Sequence, residues 1–350
     1  MLVENKSPKC KRLILHIGHP KTGTTTLQKT LQASRPALLD AGIFHPDTGA
    51  HHNHKVLIPY LTHGASPAKQ LESAQSEAIQ NSSKKWTGVV DDVRTFKPNT
   101  IILSSEGLFQ CMEADAFRNL ISHLKPLASE IVIAAYLREP ASFALSRSQQ
   151  NIKRHPNFTL PSKDYYRSVL EAYQASGLGS IKVRALDRST LKNGDIVEDF
   201  FAQHVQDFDL ERLLRRKDDN TTFSAEAMAL IQEVNRKERS FPWGKARLAI
   251  ETADRQLHGF ARPRMHDHVH HAIQARCTDL DWLKDEFDLE FPGINTGSMP
   301  LGEANRVCDA LDRTEDMCIV NADRKAALWS AVRKDHSPLH RLLRKIRKKD

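Results

Sequence analysis

Short apolar runs closed by glycine or proline alternate along this chain with stretches in which apolar residues recur every three or four positions. The first run, residues 12–18 (RLILHIG), is strand-sized and ends on glycine. The following HPKTGTTTLQKTLQ carries Leu27 and Leu31 four apart, as on one buried helix face. Residues 99–105 (NTIILSS) and 130–137 (EIVIAAYL) are β-branched-rich runs of the kind found in parallel strands buried on both faces. SIKVRAL at 180–186 predicts a fourth strand. Pro140 suits the first turn of a helix over ASFALSRSQQNIKR. DIVEDFFAQHV and SAEAMALIQEVNRK read as later helices, with 218–222 a loop before the second. Past residue 240 the signals are helical and loop, with no strand. Strand–helix alternation predicts an α/β fold: a three-layer sandwich with a mainly parallel central sheet, plus a mostly helical C-terminal region. The expected division is a core over 1–225 and a helical extension over 226–350, packed on the core and ending in a basic tail.

Composition narrows the class. Hydrophobic residues make up 40% and charged residues 27%, and no apolar run approaches the ~20 residues of a membrane helix. Leu13–Ile17 is too short for the core of a signal peptide and runs straight into a glycine–proline loop, so a cytoplasmic location is expected. The five cysteines are odd in number and form no CxxC pair, which argues for reduced thiols over a disulfide framework or a cysteine zinc site. The net charge of +8 favours anionic partners in general, while the basic terminus HRLLRKIRKKD by itself reads as a solvated tail.

The strongest local signal is Gly18-His19-Pro20-Lys21-Thr22-Gly23-Thr24-Thr25. Two glycines let the chain wrap so that backbone N–H groups face an anion, and the helix that starts here adds its positive end. Lys21 offers an ammonium and the threonines offer hydroxyl donors. The kinase-type loop G-x-x-x-x-G-K-S/T sets its lysine after the second glycine. Here that position is Thr24, and the loop's lysine precedes Gly23.

P-K-S/T-G-T-T/S after an opening strand resembles the 5′-phosphosulfate loop of sulfotransferases that use 3′-phosphoadenosine 5′-phosphosulfate (PAPS). In that family the loop holds the 5′-phosphate and the lysine stabilises charge on the oxygen bridging to the departing sulfuryl group. The resemblance carries these roles to Pro20, Lys21, Thr22, Gly23, Thr24 and Thr25. The family also binds the donor's 3′-phosphate with an arginine at a later strand end and a serine eight residues on. Arg138 closes Tyr136-Leu137-Arg138, and Ser146 stands eight residues beyond it. A guanidinium fork and a hydroxyl suit phosphate oxygens. The resemblance covers roughly residues 12–225 and is closest to bacterial, carbohydrate-sulfotransferase-like members; the segment 181–201 and Asn220-Thr221 echo it more weakly. It implies a P-loop-type fold, PAPS as donor and adenosine 3′,5′-bisphosphate (PAP) as product.

An acceptor hydroxyl needs a general base within hydrogen-bond reach. Glu106, just past the strand IILSS, is one candidate, in a position where family members acting on carbohydrates carry a glutamate. The cluster His51-His52-Asn53-His54 is the other, with His52 the preferred member and Lys55 a neighbouring cation. His266, His268, His270 and His271 suggest a metal only if one strand face gathers them; no cysteine stands nearby and no metal is expected. Two other readings remain open: a P-loop kinase or ATPase, which predicts a lysine after Gly23 and a strand ending in aspartate, and a non-catalytic nucleotide- or glycan-binding protein. No motif for specific nucleic-acid binding is present. The acceptor is not named by the sequence. A carbohydrate is one class it fits, and its pocket is expected in loops within 45–95 and after 225; oligomeric state is not readable.

Overall fold

Nine consecutive residues with one exposed side chain, Cys10–Gly18, form β1, the middle strand of a five-stranded sheet. The structure, a computed structural model, describes residues 9–19, 23–49, 51–63, 73–110, 112–205, 207–216, 222–237, 243–294 and 299–334. After β1 come α1 (Thr24–Ala33), α2 (Arg35–Asp40), β2 (Ile43–Phe44), α3 (Ile58–His63), α4 (Ser73–Phe96), β3 (Thr100–Ser104), α5 (Ala114–Leu124) and β4 (Ala128–Leu137). Then follow α6 (Pro140–Asn151), α7 (Tyr165–Ser176), β5 (Ser180–Ala185), α8 (Ile196–His204), α9 (Ala225–Lys237) and α10 (Trp243–Gln256). The chain continues through α11 (Asp267–Arg276), α12 (Leu280–Phe287), α13 (Leu301–Asp309), α14 (Thr314–Met317) and α15 (Ala322–Lys334).

The strand order is β2-β3-β1-β4-β5 and every pairing is parallel. Successive strand residues face opposite sides, so each strand serves two layers. Ile14, Ile102, Ala134 and Tyr136 pack with Leu27 and Leu31 of α1 and with Val197 and Phe200 of α8. On the other side α5 and α7 meet through Phe117 and Tyr173, ring centroids 4.9 Å apart, and the Tyr173 hydroxyl donates to Leu108 O at 2.8 Å. This is the three-layer α/β sandwich expected. Chain path decides where a site can form: from β1 it runs to the edge strand β2 and back to β3 on one side, then to β4 and β5 on the other. The carboxyl ends of β1, β3 and β4 therefore surround a topological switch point, where ligands bind in open α/β sheets.

The compact units are interleaved in sequence. The first takes residues 1–139, 164–218 and 279–292; the second takes 140–163, 219–278 and 293–350. The expected boundary at 225 lies near one crossing, at 218/219, and the short excursions at 140–163 and 279–292 were not foreseen. Within 45–95, where acceptor loops are expected, the chain also forms α3 and the 24-residue α4, whose Trp86, Val89 and Val93 are buried at helical spacing.

Each unit has its own buried polar anchor. In the first, Asp279 caps α7 by accepting from Tyr166 N at 2.8 Å and Arg167 N at 3.1 Å. Its Oδ1 is buried with no hydrogen-bond partner among the described residues, and burial pushes the carboxyl up to about 6 against the pull of those two N–H groups. In the second, the Arg324 guanidinium donates to Ser224, Glu226 and Asp254 side chains at 2.8, 3.0 and 2.8 Å, tying α9, α10 and α15.

Two outcomes follow. Arg324→Ala leaves two neighbouring carboxylates without their cation and should cost about 3–5 kcal/mol, read as a fall in the urea midpoint; a loss below about 1 kcal/mol would show that the ion cluster does not hold the unit. For Asp279, a folded pKa raised from 3.8 to about 6 means stability is full at acid pH and lost as pH rises through 6. Asp279→Asn keeps an acceptor oxygen without the buried charge, so its stability relative to the parent should rise by up to about 3 kcal/mol between pH 4 and pH 7. Parallel pH profiles for the two proteins would exclude this role.

Candidate functional site

The site begins where β1 leaves the sheet. Gly18 has φ 96° and Gly23 φ 68°, both in the left-handed region that a side chain disfavours. A Cβ on Gly23 would meet only Ile196 Cγ2, at 3.9 Å, so the backbone turn and not space requires glycine there. His19 N–H donates to Tyr136 O at 3.2 Å, which keeps the loop's first residue against β4. Pro20, Lys21 and Thr22 lie outside the described residues. Gly23 then caps α1, whose first turn has no acidic residue and, among the described residues, no side-chain cap; the positive end of a helix so formed can meet an anion. Thr24 is buried and Thr25 half-buried at that end. The helix is held from below: Leu27 and Leu31 are fully buried, and Gln28 Nε2 donates to Ser104 Oγ at 3.0 Å.

The end of β3 carries both candidate bases. His54 N–H donates to Ser104 O at 2.9 Å, while Ser104 N–H donates to His54 Nδ1 at 2.8 Å. The other ring nitrogen, Nε2, donates to Pro46 O at 3.1 Å. Both ring nitrogens are thus engaged, and burial lowers the imidazole to about 4 although the Pro46 carbonyl opposes it. His54 is therefore a neutral strut, and it fastens the 51–54 loop to β3. His52, half-buried, stands two residues before that strut. Glu106, also half-buried, stands two residues after Ser104 and opens a turn of 3-10 helix over Glu106–Leu108. Ser105 N–H donates to His16 O at 2.9 Å, which sets this turn beside the end of β1.

Beneath these groups is a buried polar layer that the sequence did not signal. His16 Nδ1 and Ser104 Oγ lie 2.8 Å apart in a hydrogen bond, and burial together with His204 lowers His16 to about 3. His45 donates from Nδ1 to Ile102 O at 3.1 Å, and burial lowers it well below the usual imidazole range. His19 is buried among aromatic rings, with centroids 5.0 Å from Phe109 and 5.5 Å from Tyr165 and Tyr166.

At the end of β4, Arg138 is half-buried and its carbonyl accepts from the Tyr166 hydroxyl at 2.7 Å. The capping carboxylate of Asp279 therefore acts on the arginine's backbone at one remove, through the start of α7. Behind Arg138, the Tyr136 hydroxyl donates to Asp199 at 2.8 Å, and Arg184 pairs with the same carboxylate at 2.7 Å, locking β4 to β5 and α8. Glycine loop, Glu106, the 51–54 loop and Arg138 thus share one edge of the sheet. Ser146, half-buried on α6, belongs to the second unit and is described only there.

The histidines at 266–271 do not share a strand face. His266 caps α11 and donates from Nε2 to Glu315 O at 3.0 Å, and the other three are spaced around the helix. Among the described residues no three His, Cys, Asp or Glu side chains converge on a metal position. Burial raises the thiols of Cys10 and Cys318 to about 11 and about 12, so neither is a thiolate nucleophile at neutral pH. Among the described residues no helix is long and apolar enough to cross a membrane.

No protein-family model matches the chain, and no curated protein matches it. A solved structure from a study of the PezAT chromosomal toxin-antitoxin system of Streptococcus pneumoniae is similar over 67% of this chain and 90% of that one, at 14% identity and a TM-score of 0.31.

Proposed function

We propose that this chain is a PAPS-dependent sulfotransferase. What carries the reading is the pairing of two anion-suited elements on adjoining strand ends. One is a loop entered and left through left-handed glycines at 18 and 23; the other is an arginine one residue past β4. PAPS carries charge at two separated places, a 5′-phosphosulfate and a 3′-phosphate, and a single loop would serve only one. In this reading Pro20, Lys21, Thr22, Gly23, Thr24 and Thr25 take the 5′-phosphosulfate, and Arg138 takes the 3′-phosphate.

The acceptor oxygen or nitrogen attacks sulfur in line as the bond from sulfur to the bridging oxygen breaks, and PAP departs. Lys21 meets the charge that grows on the bridging oxygen. The acceptor's proton passes to Glu106 or His52. His54 is removed from consideration because both of its nitrogens are engaged. Glu106 is favoured over His52 because it directly continues the strand beside β1. The acceptor is a hydroxyl or amine compound, with carbohydrates the first class to screen. The proposal includes a cytoplasmic setting, in keeping with the free thiols of Cys10, Cys277, Cys308 and Cys318.

Thermal unfolding with PAP, against ADP and ATP–magnesium, tests the donor site. At a hundred times its dissociation constant a ligand of the folded state adds about 2.7 kcal/mol. PAP alone should raise Tm, and Arg138→Ala should abolish the rise; stabilisation by ATP–magnesium instead would transfer the site to a kinase or ATPase, and no response to any would leave a non-catalytic protein. With an acceptor in hand, Lys21→Ala should lower kcat at least a hundredfold with little change in acceptor KM, and equal losses in both would remove its assigned role.

A further inference from the structure

The amino ends of the strands, opposite the glycine loop, border a cavity of about 1210 Å³ within the first unit. This exceeds the ~300–1,000 Å³ of ordinary small-molecule pockets. Its apolar lining comes from α4 and α5 and the turn before β4: Trp86, Val90, Val93, Ile121 and Leu127. Lys9, Arg94, Lys97 and Lys125 stand at its rim, and among the described residues no carboxylate lines it. Arg94 is paired with Asp91 at 3.1 Å. The ammonium groups of Lys9, Lys97 and Lys125 make no hydrogen bond or ion pair among the described residues, and all three side chains are exposed.

The ordinary explanation for Lys97 and Lys125 is that each follows the end of a helix, α4 or α5, and offsets its dipole. Magnitudes decide against that as the whole account. Two helix C-termini contribute roughly half a negative charge each, against three full positive charges. A net excess of about two positive charges remains over an apolar floor. His123, whose ring stacks 4.6 Å from Tyr60 and 5.9 Å from Trp86, adds aromatic surface; burial lowers its pKa, so it adds no charge at neutral pH.

We propose that this cavity binds a free amphipathic anion, a single carboxylate, sulfate or sulfonate on an aromatic or acyl body. The body lies on Trp86, Val90 and Ile121, and the head meets Lys9, Lys97 and Lys125. β1 spans nine residues between the two ends of the sheet, roughly 25–30 Å, so this ligand cannot reach the glycine loop and is no acceptor for chemistry there. The site stands whether or not the loop binds PAPS.

The probe is 8-anilinonaphthalene-1-sulfonate, followed by fluorescence on the full chain, with dodecanoate and dodecylamine as competitors of like body and opposite charge. Saturable one-site binding, displaced by dodecanoate and not by dodecylamine, is expected. Lys97→Glu/Lys125→Glu should weaken it at least tenfold while the chain still melts in one cooperative transition, the loss of the two helix-end lysines lowering Tm by only a few degrees because both side chains are exposed. Val90→Glu, on the half-buried floor, should weaken it as well, which separates the cavity from a general charge effect. Undiminished binding in the lysine variant, or equal competition by dodecylamine, overturns the proposal. So does association with phosphatidylglycerol vesicles in the absence of any displacement by free dodecanoate.

Discussion

One serine holds the candidate site to the sheet. Ser104 ends β3, and its polar groups are engaged by three other pieces of chain: its hydroxyl by His16 of β1 and Gln28 of α1, its N–H and carbonyl by His54. A buried polar group left unmatched costs on the order of 1–3 kcal/mol, so these partners are fixed together or lost together. The consequence is geometric. The helix that follows the glycine loop, the loop carrying His52 and the turn carrying Glu106 are all referenced to the same residue. Because His16 and His54 are held neutral by burial, the node adds no charge beneath a site suited to anions.

The other flank is built differently. Arg138 is set by its backbone, through the Tyr166 hydroxyl, while two residues earlier Tyr136 joins the Asp199–Arg184 pair. A buried ion pair of this kind adds little net stability, because desolvation offsets the attraction. What it does fix is the relative position of β4, β5 and α8, and with it the direction in which the chain leaves β4 at Arg138.

Much of this architecture was legible in the sequence, and the failures have physical reasons. The runs at 12–18, 99–105 and 130–137 correspond to β1, β3 and β4 because strands covered on both faces must be continuously apolar; the run at 180–186 corresponds to the edge strand β5, of which only Ala185 is buried. β2 has two residues, too few for any periodicity to register. α4 escaped because most of its surface faces water, so Trp86, Val89 and Val93 were the sole thin stripe in a polar stretch. The glycine loop was readable because only glycine takes φ 96° and 68° without strain. Which histidine of 51–54 serves as a strut was not readable, since that depends on Ser104, 50 residues away in sequence. The interleaving of the units was hidden for the same reason: capping of α7 by Asp279 spans 113 residues.

Under the two proposals, the two edges of the sheet would answer the problem of binding an anion in different ways. At the carboxyl edge the chain turns outward into α1, and the proposed donors are backbone N–H groups and the helix dipole, with Lys21 and Arg138 beside them. Backbone donors are fixed by the fold and cannot follow a ligand, which would suit a phosphate held in one position for transfer. At the amino edge the helices present their negative ends, so positive potential there must come from side chains. Lys9, Lys97 and Lys125 reach over an apolar floor on flexible stems, a combination that tolerates a variable head group provided the body is apolar. One parallel sheet thus imposes rigid recognition on one edge and leaves only adaptable recognition to the other.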